Sequence, residues 1–198
     1  MSLAELVNSD LNTFQNNLSK CSLIEFEILI TNSSDLNVQN IFGYSCLHIL
    51  CMINSPRCKS VEKINMLIKA GADKNIKNKY GETPLHIACQ FSIKNICETY
   101  LLRIKLLIDN GCDVNSVNNS NISVLCYACM YYTSVRSRGG IEFLSEIINI
   151  CDNILMLFLN CPYLKIPSDG PTYDYAMVFK KKNYNSTFNE AIDIALVH

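Results

Sequence analysis

The sequence predicts an all-α solenoid of four to five helix-turn-helix units joined by β-hairpin-like loops. Three observations predict it. Residues 78–115 carry turn, cap, helix, helix and closing glycine in one order; the same order returns on both sides; and apolar residues recur at helical spacing between these landmarks. With 49% hydrophobic residues in 198, a continuous core can form along one single domain.

Residues 1–40 form the first unit. Phe26, Leu29 and Ile30 lead into Ser33-Ser34-Asp35-Leu36-Asn37, which stands ten residues before Gly43 and closes on Asp-x-Asn. The second unit, 41–78, opens at Gly43-Tyr44-Ser45-Cys46-Leu47-His48, continues through Ile64, Leu67 and Ile68, and closes at Gly71-Ala72-Asp73-Lys74-Asn75. In the third, 79–118, Gly81 supplies a turn with positive φ, Thr83 caps a helix that starts at about Pro84, and Pro84 fits where no donor is needed. Leu85 and Ala88 face neighbouring units, and a ring nitrogen of His86 reaches backbone in the adjoining turn. Leu102, Leu106 and Leu107 mark its second helix, Gly111 ends that helix, and Asp113 and Asn115 begin the next hairpin. The fourth unit, 119–168, keeps the helix frame in Asn121-Ile122-Ser123-Val124-Leu125-Cys126-Tyr127-Ala128-Cys129 but loses the glycine, proline and histidine. Its second helix is 141–150, 154–159, or one helix using both. Gly170-Pro171-Thr172, Tyr175-Ala176 and the capping-box spacing of Thr187-Phe188-Asn189-Glu190 predict a carboxy-terminal cap over 169–198.

This order of parts, above all Gly81-Glu82-Thr83-Pro84-Leu85-His86-Ile87-Ala88-Cys89 followed by Gly111-Cys112-Asp113-Val114-Asn115, resembles the ankyrin repeat. The resemblance implies a non-enzymatic protein-binding module, monomeric and needing no cofactor, whose concave face of hairpin tips and first helices receives the partner. The chain departs from the family in one place. About 23 residues separate the two glycines in the family pattern, against 28 from Gly43 to Gly71 and 30 from Gly81 to Gly111. Both insertions fall between first and second helices, so they line up along one edge of the stack.

Those inter-helix segments have one-sided chemistry. Residues 53–60 contain Arg57 and Lys59, 91–97 contain Lys94, 130–140 contain Arg136 and Arg138, and 178–189 contain Lys180, Lys181 and Lys182; none contains Asp or Glu. With 17 basic and 18 acidic residues overall, this predicts a basic ridge on a nearly neutral protein, with Tyr131, Tyr132 and Phe179 beside it. A net charge of −1 without a recognition helix or stacking motif argues against nucleic acid, leaving an acidic or phosphorylated protein segment as the ridge's partner. On the concave side the candidate contacts are Gln39, Asn40 and Phe42, then Lys77, Lys79 and Tyr80, then Asn118 and Asn119, with the two aromatics as anchors.

Catalysis and metal binding find little support. His48 and His86 belong to the repeat motif and His198 is the last residue, so a Cys/His nucleophile pair is hard to assemble; phosphate-binding loops, paired-carboxylate motifs and a nucleophile elbow are absent. Of eleven cysteines, Cys46, Cys51, Cys89, Cys112, Cys126 and Cys129 take places of small buried residues, and Cys126-x-x-Cys129 has no second pair at zinc spacing. Free thiols point to a reducing, intracellular compartment, cytoplasmic or nuclear, and the longest apolar stretch, 154–159, is far short of a membrane span.

The family resemblance implies two further things. Leu29 before Asp35-Leu36-Asn37, and Leu107 before Asp113-Val114-Asn115, resemble the context in which an intracellular asparaginyl hydroxylase modifies ankyrin hairpins, so Asn37 and Asn115 are candidate modification sites; otherwise an asparagine here bonds its own turn backbone. The Asn/Ile-rich composition and the inter-helix insertions look like ankyrin proteins of poxviruses and other large DNA viruses. Residues 189–198 offer no F-box-like segment, which makes the chain more similar to ankyrin-only viral inhibitors, including mimics of the NF-κB inhibitor. The expected function is therefore sequestration or inhibition of a protein partner. An adaptor that presents a substrate to a ubiquitin-ligase-type complex through the ridge, or a stabilising subunit of a larger assembly, are the alternatives.

Overall fold

The structure is a computed structural model that describes residues 3–53, 55, 58–94, 98–127, 157–158 and 164–166, with backbone alone for 92–94 and 98. Helices α1 (Leu3–Val7), α2 (Leu11–Lys20), α3 (Leu23–Thr31), α4 (Cys46–Met52), α5 (Ser60–Lys69), α6 (Pro84–Lys94) and α7 (Glu98–Asp109) follow in order, and 124–127 begin another helix. First helices α2, α4 and α6 pack in one layer; second helices α3, α5 and α7 pack in the other. Each pair buries one apolar stripe on the next pair, which is how a unit too small for its own core becomes stable. The all-α solenoid expected from the sequence is the fold observed.

The amino-terminal unit is capped by local chemistry. Asp10 accepts the Thr13 N–H at 3.0 Å to start α2. Ser22 and Glu25 form a reciprocal capping box at the start of α3, at 3.2 and 2.7 Å. Leu3, Leu6 and Val7 of α1 are buried with Phe14 and Leu18 of α2 and Phe26 of α3. The second helices end as the glycines predict. Gly71 and Gly111 have φ of +95° and +73°, and the following N–H groups of Ala72 and Cys112 reach back to Leu67 and Leu107 carbonyls at 3.0 and 3.1 Å. In α7 the inward face is Tyr100, Arg103, Ile104 and Leu107, whereas Leu102 is 46% exposed. Leu102 lies off the 3–4 spacing of that buried row, which corrects its expected place on the packed face.

Lys63 and Arg103 are buried cations that tie each second helix to the unit before it. The Lys63 ammonium donates to the carbonyls of Leu18 and Cys21, both at 2.6 Å, closing the carboxy-terminal end of α2. Arg103 donates to Cys51 O at 3.3 Å, Ile53 O at 2.5 Å and Ser60 Oγ at 2.8 Å, while its guanidinium lies 4.6 Å from the Tyr100 ring centroid. Arg103 thus closes α4 and holds both ends of the inserted segment. Ile53 and Cys58 within that segment are buried, so it is partly core and not wholly the solvated ridge expected. Phe91 and Lys94, expected in the second insertion, extend α6.

Three hairpins share one backbone pattern, though among the described residues their ladders shrink to the isolated pairs Gln39–Ser45 and Val117–Ser123. Asn40, Asn78 and Asn118 N–H groups bond the carbonyls of Tyr44, Glu82 and Ile122 at 2.9 to 3.0 Å. Gly43 and Gly81 have φ of +80° and +75°, and a Cβ on either would lie within 3 Å of backbone nitrogen in the next hairpin, Lys79 and Asn119 respectively. Glycine is needed there for both dihedral and space. Asn121 takes the same left-handed turn at φ +58°, so the fourth unit keeps the turn although it lacks the glycine.

A second ladder runs along the hairpin bases. Asp35, Asp73 and Asp113 each accept the N–H of the asparagine two residues on. The Oδ1 atoms of Asn37, Asn75 and Asn115 then accept N–H groups of Asp73, Asp113 and Lys165 at 2.7 to 2.8 Å. Each asparagine therefore bonds its own turn through its backbone N–H and bridges to the following unit through its side-chain oxygen. Lys165 occupies the rung held earlier by Asp73 and Asp113, and its neighbours Leu164 and Ile166 are buried as Cys112 and Val114 are. The second-helix choice 141–150, the remainder of 154–159, and the cap over 169–198 lie outside the described residues.

Candidate protein-binding surface

The hairpin tips form a cross-linked strip. Lys79 N–H bonds Phe42 O at 3.1 Å and Asn119 N–H bonds Tyr80 O at 2.9 Å, so each tip hangs on the one before. Side chains add further bridges: Gln39 Nε2 to Lys77 O at 2.8 Å, Lys77 Nζ to Val117 O at 3.0 Å, and Asn119 Nδ2 to Lys79 O at 3.0 Å. Such a strip keeps its shape before a partner arrives.

The candidate contact residues separate into two groups. Asn40 is buried, and its Oδ1 accepts N–H groups of Phe42 and Tyr44 at 3.0 and 2.9 Å. Asn118 does the same for Ser120 and Ile122, and Asn78 repeats the arrangement between them. Asn40 and Asn118 are turn-organising residues, a correction to their expected place in the contact set that follows from the asparagine amide's ability to close a turn. Gln39, Lys77 and Asn119 point to the tip but use polar atoms as bridges. Phe42 and Tyr80 remain 45% and 53% exposed, Ile41 beside Phe42 is 74% exposed, and the Lys79 ammonium has no partner among the described residues. Ile41 is legible in the sequence as an apolar residue at a tip.

Behind the tips lies a buried polar network. His48 and His86 accept the N–H of Ser45 and Thr83 on Nδ1, both at 3.1 Å, so the proton is on Nε2, which donates to Glu82 O at 3.0 Å and Ile122 O at 3.3 Å. Burial holds both imidazoles neutral, each pKa lowered to about 4. The buried Glu82 carboxylate accepts from Asn78 Nδ2 at 3.0 Å and from Tyr127 OH at 3.2 Å, and Asn118 Nδ2 donates to the same phenol. Burial first, then Glu82, pushes the Tyr127 pKa up to about 12. The two histidines are thus consumed in joining first helices to the next hairpin.

The thiols share this inertness. Cys46, Cys51, Cys58, Cys89, Cys112 and Cys126 are buried and unbridged, and burial raises each pKa, to about 12 for Cys51 and Cys112. Among the described residues no three His, Cys, Asp or Glu side chains gather as a metal site. Of the ridge, Lys59 is exposed in a left-handed conformation at φ +47°, ahead of α5. Arg57, Arg136, Arg138, Lys180, Lys181 and Lys182, with Cys129, Tyr131, Tyr132 and Phe179, lie outside the described residues, as does the side chain of Lys94. No helix among the described residues is long and apolar enough to cross a membrane.

Sequence reasoning missed Lys63, Arg103 and the Glu82–Tyr127 pair. For the cations a signal existed: Lys63-Ile64-x-x-Leu67-Ile68-x-x-Gly71 and Arg103-Ile104-x-x-Leu107-Ile108-x-x-Gly111 place a cation at one register of both second helices.

Comparison with known families agrees with this geometry. Residues 20–103 match the family model of ankyrin repeats in three copies. No curated protein matches the chain significantly. Ankyrin repeats are general protein–protein interaction modules.

Proposed function

We propose, from the premise that residues 20–103 are ankyrin repeats, that this protein sequesters or inhibits a protein partner through its concave face. The observation that carries the reading is the pair Phe42 and Tyr80, equivalent in successive hairpins, half-exposed, and fixed to one another through the Lys79 N–H to Phe42 O bond. Large rigid side chains on a preformed strip lose little entropy on binding and are the residue types that dominate interface energy. The resemblance to short viral ankyrin proteins makes a host signalling protein, NF-κB included, the first partner to try. Affinity capture with the wild-type chain, F42A/Y80A, and a variant neutralised at Arg136, Arg138, Lys180, Lys181 and Lys182 tests it. A principal partner lost only with F42A/Y80A supports sequestration; a partner retained by F42A/Y80A refutes it.

A second reading has its own observation. Arg103 fixes both ends of the 53–60 insertion, which supports a second built surface at the inter-helix edge and hence an adaptor with two partners. Separate partners lost with each variant favour that reading. Asn37 and Asn115 are proposed as hydroxylation sites. Each must release its bond to Asp73 or Lys165 before an enzyme can enclose it, and added oxygen at these asparagines in peptide mass spectra checks the assignment.

A further inference from the structure

We infer that the partner segment received by the concave face is an acidic polypeptide bearing apolar side chains, an inference that rests on the docking role proposed for Phe42 and Tyr80. Carboxylates are kept off the hairpin tips. Over the hairpin tips and first helices, residues 36–52, 74–94 and 114–127 contain a single carboxylate, Glu82, buried and held by Asn78 and Tyr127, while the exposed Asp35, Asp73 and Asp113 stand at the hairpin bases, each accepting an N–H of its own turn. Asp10, at the head of α2, caps its own helix. Four further exposed acids, Glu25, Glu27, Glu62 and Asp109, sit on second helices, in the other layer. The tips carry only cations, Lys77 and Lys79.

Lys79 decides the sign. Its backbone lies between the two anchors, its N–H on Phe42 O and its chain neighbour Tyr80, so a partner that covers both aromatics also meets the exposed Lys79. Covering an unpaired cation with neutral or basic surface removes its hydration without compensation, whereas a carboxylate restores the interaction in a partly dried site. At the far end of the first helices, beside the start of the 53–60 insertion, lies a hollow of about 370 Å³ in which Asn12, Gln15, Asn16 and Ser19 of α2 stand with Met52, Ile53, Ser55 and Phe91. The seven residues of α4 separate tip from hollow by about 10 Å. Uncharged amides over an apolar floor suit side chains and backbone of an extended or helical peptide. Nucleic acid fits less well, since the most exposed large apolar residue at the tips is the aliphatic Ile41 and only two lysines stand with it there.

The test uses the full chain and three pools of random 16-residue peptides with equal apolar content, their remaining positions Asp/Glu, Ser/Gln or Lys/Arg, together with a single-stranded RNA oligonucleotide. The acidic pool should bind about ten-fold more tightly than the neutral one at 50 mM salt, with most of the difference lost at 500 mM. K77E/K79E, measured well below its own melting temperature because Lys77 also bridges to Val117 O, should reverse the order of acidic and basic pools, and F42A/Y80A should remove binding of all three. Equal binding of the pools with loss in F42A/Y80A overturns the acidic partner while the docking role survives. Acidic preference that persists in K77E/K79E, or RNA that outcompetes the acidic pool, also overturns it. Binding indifferent to F42A/Y80A, or no binding, overturns both.

Discussion

His48 and His86 set the acid limit of the fold. In the native chain each stays neutral down to about pH 4 because burial penalises the imidazolium, while in the unfolded chain each takes a proton near 6.5. The stabilisation is fully present above pH 6.5 and is lost as pH falls toward 4, because the unfolded state binds more protons in that window. Each is worth about 3 kcal/mol at most by that linkage. Urea unfolding at pH 7 and pH 4.5 should show a drop of several kcal/mol for the wild type and a clearly shallower drop for H86Q; parallel drops would contradict the assignment. Arg103 acts at the same scale. R103A leaves the carbonyls of Cys51 and Ile53 and the Ser60 hydroxyl without their donor and should lower stability by about 3 kcal/mol, with K63A close behind. R103K should lose less, since a cation remains. The histidines were legible because motif and role coincide. The buried cations were not, because charge in a sequence reads as surface until something shows where the carbonyls of a preceding helix point.

At the scale of the element, the hairpin explains why two kinds of glycine exist in one repeat. Gly71 has only its dihedral to satisfy, with nothing within 4 Å of an added Cβ, whereas Gly81 also abuts Asn119 in the next hairpin. G71A should therefore cost about 1–2 kcal/mol, the left-handed penalty alone, and G81A distinctly more. Thermal melts of the pair check this, and equal losses would mean that the hairpins are not in contact. Turn positions, caps and helix starts were readable here because each is a local demand on one residue type. The bridging roles of Gln39, Lys77 and Asn119, and the turn-closing role of Asn40 and Asn118, depend on where the next hairpin lies. Composition alone placed these polar residues at the tip without saying that most of their polar atoms face inward, toward other tips.

At the scale of the whole molecule, the described units form a ladder whose rungs repeat: Asp to Asn within a unit, Asn to the next unit, histidine to the next hairpin, cation to the previous first helix. Lys165 carries one of these rungs past residue 127, beyond the region matched by the repeat family. The periodic frame was legible across units because each must present the same faces to its neighbours. The binding surface was legible only in part. Phe42, Tyr80 and Lys79 emerge as exposed, and Ile41 joins them. The measurement that tests the central claim most directly is the affinity of a captured partner, by calorimetric titration, for the wild-type chain and for F42A/Y80A at matched thermal stability. The concave-face account predicts a loss of at least about ten-fold, as expected for removing two interface anchors; an unchanged affinity in a folded F42A/Y80A would contradict it.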